Sequence, residues 1–376
     1  MGPWQSAMED VGMTQRLAPA VCAPDPEFWQ GRRVLVTGHT GFKGSWLTLW
    51  LHRLGASVTG LALPPATVPN LYALARTDDL CESRFIDIRD AQATARLVHD
   101  TRPEVVFHLA AQALVRAGYA DPISTYATNV MGTTHVLDAL RNADGVRVAI
   151  MVTTDKVYRN LERPYPYRED DTLGGYDPYS ASKAASELVI SSYRDAYLSG
   201  RGVAVASARA GNVIGGGDWS PDRLIPDAVR CWQEGGQLAV RRPHATRPWQ
   251  HVLEPVSAYL RLAECLYAEP TLAGAYNFGP PTHEAATVAE VIAQAQQAYG
   301  KGSIKWGDGT EGPHEAEWLA LETAKARTCL AVRPRWNLHT AVARTMNWYR
   351  EQRCGANALD LCEADIRAFE SVGVPA

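Results

Sequence analysis

Residues 33–44 read Arg-Val-Leu-Val-Thr-Gly-His-Thr-Gly-Phe-Lys-Gly, and this stretch decides the fold. The run Arg33–Val36 is typical of a buried strand, and glycines follow it at positions 38, 41 and 44. Residues 43–54 then have helical spacing, which ends at Gly55. A tight turn between a strand and a helix lets backbone N–H groups bind a pyrophosphate. Three glycines alone also fit a plain strand-to-helix turn, but the flanking elements favour a dinucleotide site.

The alternation of short apolar runs and helical stretches continues to about residue 210. The predicted strands are 33–36, 57–63, 84–86, 105–109, 146–153 and 203–208, and helices are expected at 43–54, from Asp90 to before Pro103, at 121–142 and at 178–199. Continuous apolar strands alternating with helices indicate an α/β fold, a doubly wound parallel sheet of the Rossmann type. We predict that residues 25–210 form this domain. Residues 211–376 are predicted to form mainly a smaller, loop-rich C-terminal substrate lobe, with some segments returning to the first domain and helices near 253–268 and 287–299.

Composition and charge narrow the possible functions. The 376 residues include 37 basic and 41 acidic side chains, a net charge of −4, so no general basic surface points to nucleic acid or an anionic membrane. No apolar run approaches the roughly 18 residues that a membrane span needs. Seven cysteines are dispersed without a CxxC pair, which predicts reduced thiols in a cytoplasmic protein. Residues 1–24 lack the apolar stretch of a signal peptide, and we expect them to be a poorly ordered extension.

The adenosine end of the predicted cofactor site is less clearly marked. The acidic residue that normally ends the second strand and holds the ribose is missing from residues 58–63, so this rule does not choose between NAD and NADP. Asp87, after the third strand, is placed to meet the adenine ring, although a loop-capping role is an equally simple explanation. Ala110 and Ala111, after the fourth strand, would let a cofactor pass closely.

A candidate catalytic pair follows the fifth strand. Tyr179 and Lys183 lie four residues apart at the start of a predicted helix, so they share one face. An ammonium group beside a phenol is expected to lower the tyrosine pKa, which lets the phenolate accept a hydroxyl proton. A Tyr and a Lys at this spacing also occur often on solvent-exposed helix faces that have no catalytic role. Thr154, Asp155 and Lys156 end the fifth strand, where ligands bind in parallel sheets, although a surface ion pair is the alternative.

These residues resemble those of the extended short-chain dehydrogenases/reductases, and more closely the nucleotide-sugar 4,6-dehydratases of the CDP-glucose branch. The resemblance spans about residues 25–350. It rests on the strings at 38–47, 110–116, 153–158, 179–183, 208–219, 222–226 and 247–255. Dehydratases that act on dTDP-glucose carry Asp-Glu at this position. This chain carries Asp155-Lys156, and in this it is similar to the CDP-glucose branch.

The resemblance implies a tightly held NAD, a substrate that is CDP-glucose or a close nucleotide sugar, and a homodimer built through helices near 121–142 and 178–199. It implies catalytic roles for Thr154, Asp155, Lys156, Tyr179 and Lys183. The cofactor residues it implies are Gly38, Thr40, Gly41, Phe42, Gly44, Asp87, Ile88, Leu109, Ala110, Ala111, Gln112, Tyr179 and Lys183. The implied substrate residues are Arg116, Asn212, Arg223, Arg247 and Trp249, although Trp249 suits the core equally well.

The implied reaction is C4 oxidation, loss of water across C5 and C6, and hydride return to C6, which gives a 4-keto-6-deoxy sugar nucleotide. Lys156 is expected either to take the C5 proton or, as a cation, to stabilise the enolate, and Asp155 is expected to protonate the departing C6 hydroxyl. For Lys156 to act as the base it must be neutral, which would require burial beside Lys183. A 4-epimerase on the same fold is the alternative enzyme, but Asp155-Lys156 favours dehydration. A non-catalytic NAD-binding interaction protein is a further alternative, because a fold does not determine a function. The neighbours His314 and Glu315 lack the HExxH spacing, so no metal is expected.

Overall fold

The computed structural model describes residues 23–163, 165–309 and 317–372. The predictions for residues 1–22 and for His314 and Glu315 lie outside these ranges. Its strands are β1 Arg33–Thr37, β2 Ser57–Ala62, β3 Glu82–Phe85, β4 Val105–His108, β5 Val148–Val152, β6 Ala204–Ala210, β7 Val213–Ile214, β8 Gln237–Val240, β9 Thr246–Arg247, β10 Gln250–His251, β11 Gly274–Phe278, β12 Ala286–Thr287 and β13 Ser303–Trp306.

The helices lie before, between and after these strands. They are α1 Pro26–Trp29, α2 Phe42–Arg53, α3 Leu71–Leu74, α4 Ala91–Thr101, α5 Val115–Ala120, α6 Pro122–Tyr126, α7 Gly132–Arg141, α8 Pro178–Tyr193, α9 Leu224–Gln233, α10 Leu253–Ala268, α11 Val288–Tyr299, α12 Ala324–Leu330, α13 Leu338–Arg353 and α14 Ala358–Ser371. A π-helical segment, Ala127–Met131, joins α6 to α7, so the helix predicted at 121–142 is continuous.

Seven parallel strands form the main sheet in the order β11-β6-β5-β4-β1-β2-β3. This confirms the predicted doubly wound fold, and all six predicted strands are present with their ends shifted by at most two residues. The chain order reverses between β1 and β4, where Thr37 pairs with His108. In open parallel sheets, ligands bind in the crevice beyond the carboxyl ends of the strands at this reversal.

Both faces of the sheet are buried, as the continuous apolar strands predict. Val34, Val36 and Phe107 belong to one apolar cluster, which includes residues of α2, α10 and α13. Leu35 and Val106 point to the opposite face and belong to a second cluster, which includes residues of α4, α7 and α8. The alternation along each strand therefore divides the core into two layers.

Residues after 210 also contribute to the sheet, which the strand predictions did not include. Strand β11, absent from those predictions, pairs with β6 and becomes the edge of the sheet. Helices α13 and α14 were also not predicted, and Trp50 of α2 donates a hydrogen bond from Nε1 to Glu370 of α14 at 3.0 Å. The shorter pairs β8–β13, β7–β10 and β9–β12 lie outside the main sheet. No described helix is long and apolar enough to cross a membrane.

Candidate active site

The glycine-rich turn after β1 brings the backbone unusually close to neighbouring segments. Gly38 has φ of 79°, and a Cβ atom there would lie 2.7 Å from the backbone nitrogen of Ala110. A Cβ on Gly44 would lie 2.0 Å from the Gly38 carbonyl oxygen. Larger residues at these two positions would therefore disrupt the turn itself.

Gly41 differs from the other two glycines because a Cβ atom there would be much less crowded. A Cβ there would meet only the Gly38 oxygen, at 3.3 Å. Gly41 precedes α2 and makes no side-chain cap, so the first N–H groups of this helix have no capping side chain. Unpaired N–H groups at a helix N-terminus bind anions, and the less crowded position of Gly41 leaves room for one. The turn therefore fits the pyrophosphate of a dinucleotide.

Asp87 has the loop-capping role that the sequence left open, while its contact with an adenine ring stays a prediction. Its carboxylate accepts hydrogen bonds from the backbone nitrogen of Arg89 at 2.9 Å and from the Arg89 guanidinium at 2.6 Å. Hydrogen bonding by Arg89 lowers the pKa of Asp87. The residue also lines the cavity described below, together with Ile88. It therefore caps its loop and is available to a ligand.

The loop after β4 is held by a residue that the sequence analysis missed. The Asn129 side chain accepts from the Gln112 nitrogen at 2.9 Å and donates to the Gln112 oxygen at 3.0 Å. It also donates to Ser182 Oγ at 2.9 Å, beside Lys183. Asn129 lies in the π-helical segment, which no sequence signal marked. The Gln112 amide is itself occupied by Thr125 and the Leu114 nitrogen.

Tyr179 and Lys183 lie in the first turns of α8 and are both buried. Asp177 caps the helix by accepting from the Ser180 nitrogen at 3.0 Å. Burial raises the pKa of Tyr179 to about 12, an effect that a hydrogen bond with Thr154 opposes. The expected lowering of the tyrosine pKa is therefore wrong for this structure, because desolvation of the phenolate outweighs the nearby positive charges.

Lys183 shows the effect of the same burial on a cation. Its Nζ donates to the Val152 carbonyl oxygen at 3.3 Å, at the end of β5. Burial lowers its pKa to about 8, and the charge of Glu187 opposes this shift. Lys183 therefore loses its proton more readily than an exposed lysine does.

Asp155 and Lys156 lie in a 3₁₀ turn, Asp155–Val157, that follows β5. The Asp155 Oδ1 atom accepts from Thr154 Oγ1 at 3.0 Å and from Lys156 Nζ at 3.1 Å. Asp155 is fully buried, and its Oδ2 atom has no hydrogen-bond partner among the described residues. The side chain of Lys156 is 31 % exposed, so the burial expected for it is not observed. One carboxylate oxygen is thus paired, and the other is buried without a hydrogen-bond partner among the described residues.

Lys43 is a second residue that the sequence analysis gave no role. It lies within the glycine-rich turn and lines the cavity. Burial lowers its pKa to about 7, and the charges of Arg223, Lys183 and Lys156 lower it further while Asp155 raises it. Its position between glycines was visible in the sequence, but its proximity to the catalytic candidates depends on the fold.

The predicted substrate residues line the same cavity as the catalytic candidates. Arg223 pairs with Asp218 at 3.0 Å, and Arg116 pairs with Asp222 at 2.9 Å. Trp249 is buried and donates from Nε1 to the Ala286 oxygen at 3.1 Å. It belongs to the core and also lines the cavity, and its role in substrate binding stays a prediction. Asn212 and Arg247 also line this cavity.

One cavity of about 1630 Å³ collects every catalytic, cofactor and substrate residue predicted above. Its described lining contains ten Lys or Arg residues and seven Asp or Glu residues, although the whole chain is net negative. A local excess of positive charge suits ligands that carry phosphate groups. The volume exceeds the roughly 300–1,000 Å³ of a site for one small molecule, so it has room for two ligands. Within the described ranges, no group of three or more His, Cys, Asp or Glu side chains is arranged to hold a metal ion.

Comparison with known proteins agrees with this geometry. The chain is 44 % identical to the CDP-glucose 4,6-dehydratase of Salmonella typhimurium over 353 residues, which cover 92 % of this chain and 98 % of the relative. It is 30 % identical to the dTDP-glucose 4,6-dehydratase of Streptomyces antibioticus, covering 85 % of this chain and 93 % of the relative.

A solved structure has the same fold. The dTDP-glucose 4,6-dehydratase of Streptomyces venezuelae, solved with NAD bound, superposes with a TM-score of 0.74 at 27 % identity and covers 87 % of this chain and 99 % of that one. The family model that matches residues 34–279 is described as the NAD dependent epimerase/dehydratase family. On the model match and these relatives, the chain belongs to the NAD dependent epimerase/dehydratase family.

Proposed function

We propose that the protein is a lyase that uses NAD to convert CDP-D-glucose into CDP-4-keto-6-deoxy-D-glucose. The observation that carries this proposal is the hydrogen-bonded pair Asp155 and Lys156 in the same cavity as Tyr179 and Lys183. The first pair suits elimination and the second suits oxidation of an alcohol. The 44 % identical relative named as a CDP-glucose 4,6-dehydratase supports the choice of substrate.

The residues that would hold NAD follow the reversal point of the sheet. The N–H groups at the start of α2 would bind the pyrophosphate over Gly41, and Asp87 and Ile88 lie toward the adenine end. When bound, NAD accepts a hydride from C4 and returns it to C6. Leu109–Gln112 would line the path between these ends.

Tyr179 would take the proton from the C4 hydroxyl. Because burial raises the pKa of Tyr179 to about 12, its phenolate needs positive charge nearby. Arg223 lowers that pKa, and Lys183 of the same helix supplies a second cation while it is protonated. Thr154, which is hydrogen-bonded with Tyr179, would orient the reacting oxygen. The C4 ketone then acidifies the C5–H bond.

Asp155 and Lys156 would carry out the elimination together. Lys156 donates its proton toward Asp155 across 3.1 Å. Transfer of that single proton leaves a neutral amine that can accept the C5 proton and a protonated carboxyl that can donate to the departing C6 hydroxyl. Water leaves as the C6–O bond breaks. The protonated Lys156 would then give a proton to C5 when C6 receives the hydride. A bound substrate would exclude water and thereby favour the neutral pair. Exclusion of water by the substrate would take the place of the burial that was expected for Lys156.

An isotope experiment tests the proposed reaction. The purified protein is incubated with CDP-glucose deuterated at C4, and separately with unlabelled CDP-glucose in D₂O. The proposal requires that C4 deuterium appear at C6 and solvent deuterium at C5, measured by mass spectrometry and NMR. Deuterium that returns to C4 would identify an epimerase. Absence of any turnover would overturn the choice of substrate.

A homodimer is the second part of the proposal. Large apolar side chains are exposed on the helices expected to pair: Ile123 of α6 is 81 % exposed and Leu188 of α8 is 64 % exposed. Neighbouring exposed apolar groups mark an interaction surface. Sedimentation should give a dimer for the wild type and a monomer for Ile123→Glu with Leu188→Glu. A monomeric wild type would refute it. The cytoplasmic location and the two-domain division stay predictions.

A further inference from the structure

Two residues, Thr153 and Tyr158, hold the ends of the segment that carries Asp155 and Lys156 through buried hydrogen bonds. Before the segment, Thr153 Oγ1 donates to Glu187 Oε1 at 2.5 Å. After it, Tyr158 Oη accepts from Arg209 Nη1 at 2.8 Å and donates to Asn277 Oδ1 at 2.6 Å. Residues 154–157 therefore lie between two anchored neighbours.

The two anchors are joined to each other by a buried ion pair. Arg209 Nη2 donates to Glu187 Oε2 at 2.8 Å, and both side chains are at most 4 % exposed. Ser207 Oγ also donates to Glu187, at 2.7 Å, and Arg209 Nη1 donates to the Glu169 oxygen at 2.9 Å. The chain of contacts Thr153–Glu187–Arg209–Tyr158 thus connects both ends of the segment through α8 and β6.

Stability alone is a poor explanation for this arrangement. A buried ion pair often contributes no more to stability than apolar side chains of similar size. Here the polar atoms of the pair converge on the two residues that flank the segment, while Asp155 and Lys156 bond to one another. Asn277, on the edge strand β11, accepts a hydrogen bond from the Tyr158 hydroxyl and donates one to the backbone oxygen of Tyr167 at 3.0 Å. The network therefore ties the segment to elements far away in the sequence.

We propose that the ion pair of Glu187 and Arg209 positions Asp155 and Lys156 for elimination by holding both ends of their segment. Glu187, Arg209, Thr153 and Tyr158 are positioning residues in this scheme. The inference deepens the proposed function and rests on it. Oxidation at C4 depends on Tyr179 and Lys183 of α8 and, within the segment, only on Thr154, whereas elimination depends on both Asp155 and Lys156. Loosening the segment at Tyr158, the end away from Thr154, therefore affects mainly the second half of the reaction.

The test cuts an anchor without breaking the ion pair, because removing one partner of a buried pair leaves an unpaired charge and threatens folding. Tyr158→Phe removes one hydroxyl that contacts Arg209 and Asn277. Tyr276→Phe is the matched control, since Tyr276 is equally buried on β11 and its hydroxyl donates to the Leu272 oxygen at 2.7 Å outside the cavity lining.

Each half of the reaction is measured separately, with the nucleotide sugar that the wild type turns over. In Tyr158→Phe we expect C5 exchange with solvent to fall about 10- to 100-fold, the scale of a small misplacement of catalytic groups. The rate at which reduced cofactor appears, followed by its absorbance, and the KM should both stay within about threefold of the wild-type values, a change well below that scale. The control should match the wild type in both. Equal loss in both halves, or no loss of C5 exchange, would overturn the inference.

A second variant and a readout without turnover complete the test. Thr153→Val removes the hydrogen bond of the other anchor, next to Thr154, and should reduce C5 exchange more than C4 oxidation. Thr345→Val is its control, because Thr345 is buried and donates to the Ala341 oxygen in α13. Hydrogen exchange of peptides covering residues 153–158 should accelerate in both anchor variants but in neither control. Unchanged exchange there would also contradict the inference. Wild-type turnover of CDP-glucose, measured independently, reports on the proposed function alone.

Discussion

The helix that carries Tyr179 and Lys183 and the segment that carries Asp155 and Lys156 meet at one end of the sheet but are built differently. In the helix, the spacing of four residues sets the geometry, and burial shifts the pKa of Tyr179 to about 12 and that of Lys183 to about 8. In the segment, one residue is fully buried and its neighbour is 31 % exposed, and the two share a hydrogen bond of 3.1 Å. Helix geometry orients the first pair, whereas distant side chains anchor the second.

The largest effect is expected where both regions depend on the same cofactor. Gly41→Val should fold, because a Cβ there contacts only one backbone oxygen, at 3.3 Å. The branched side chain would occupy the space through which an anion approaches the helix N-terminus, so the purified variant should contain no NAD and show no activity in either half of the reaction. Cofactor content is measured after denaturation. Wild-type NAD content in this variant would contradict the assigned pyrophosphate site.

The next largest effect separates the helix from the segment. Tyr179→Phe should reduce C4 oxidation about 10²–10⁴-fold, the usual contribution of a general base, because the phenylalanine cannot accept the proton. Elimination follows oxidation, so C5 exchange should fall by the same factor. The rate of reduced cofactor formation in a single turnover is the measurement. A rate within about threefold of the wild type, far below that range, would remove Tyr179 from this role.

Lys156→Ala should affect only the second half. The variant should still reduce bound NAD in the presence of substrate, seen as absorbance growth, while C5 exchange with solvent falls about 10²–10⁴-fold. Lys305→Ala is a suitable control, because Lys305 lies on β13 outside the cavity lining. Persistent C5 exchange in Lys156→Ala would exclude Lys156 from elimination and remove the contrast between the two regions.

The smallest effect concerns the stability of the helix pair without ligand. The pKa of Lys183 is lowered from 10.5 to about 8 by burial, so the folded protein binds fewer protons than the unfolded chain between pH 8 and 10.5. The free energy of unfolding should therefore rise with pH across this window, by on the order of 3 kcal/mol. Denaturation of wild type and Lys183→Met at several pH values checks this. The difference between them should change across the window, and a constant difference would contradict the shift.

Much of the site could be predicted because its parts are local in the chain. The strand, turn and helix at residues 33–53, the Tyr179 and Lys183 pair, and the adjacent Asp155 and Lys156 each span few residues. The seventh strand, β11, was missed because it lies in the irregular half of the chain. It pairs with β6 in a register that places Gly274 opposite Ala206, 68 residues earlier in the chain. Asn129 and Lys43 were missed because their roles depend on contacts with residues distant in the chain: Gln112 and Ser182 for Asn129, and the charges of Asp155 and Arg223 for Lys43.

The sequence by itself determined the doubly wound sheet, the glycine-rich turn and the residue types that line the cavity, because apolar periodicity and spacing set geometry over short distances. Only the tertiary structure decided the charge behaviour of the site. Burial raises the pKa of Tyr179 and lowers the pKa values of Lys43 and Lys183, and burial depends on residues from the whole chain. The anchors of the Asp155 segment likewise join β5, α8 and β6, so no local pattern could reveal them.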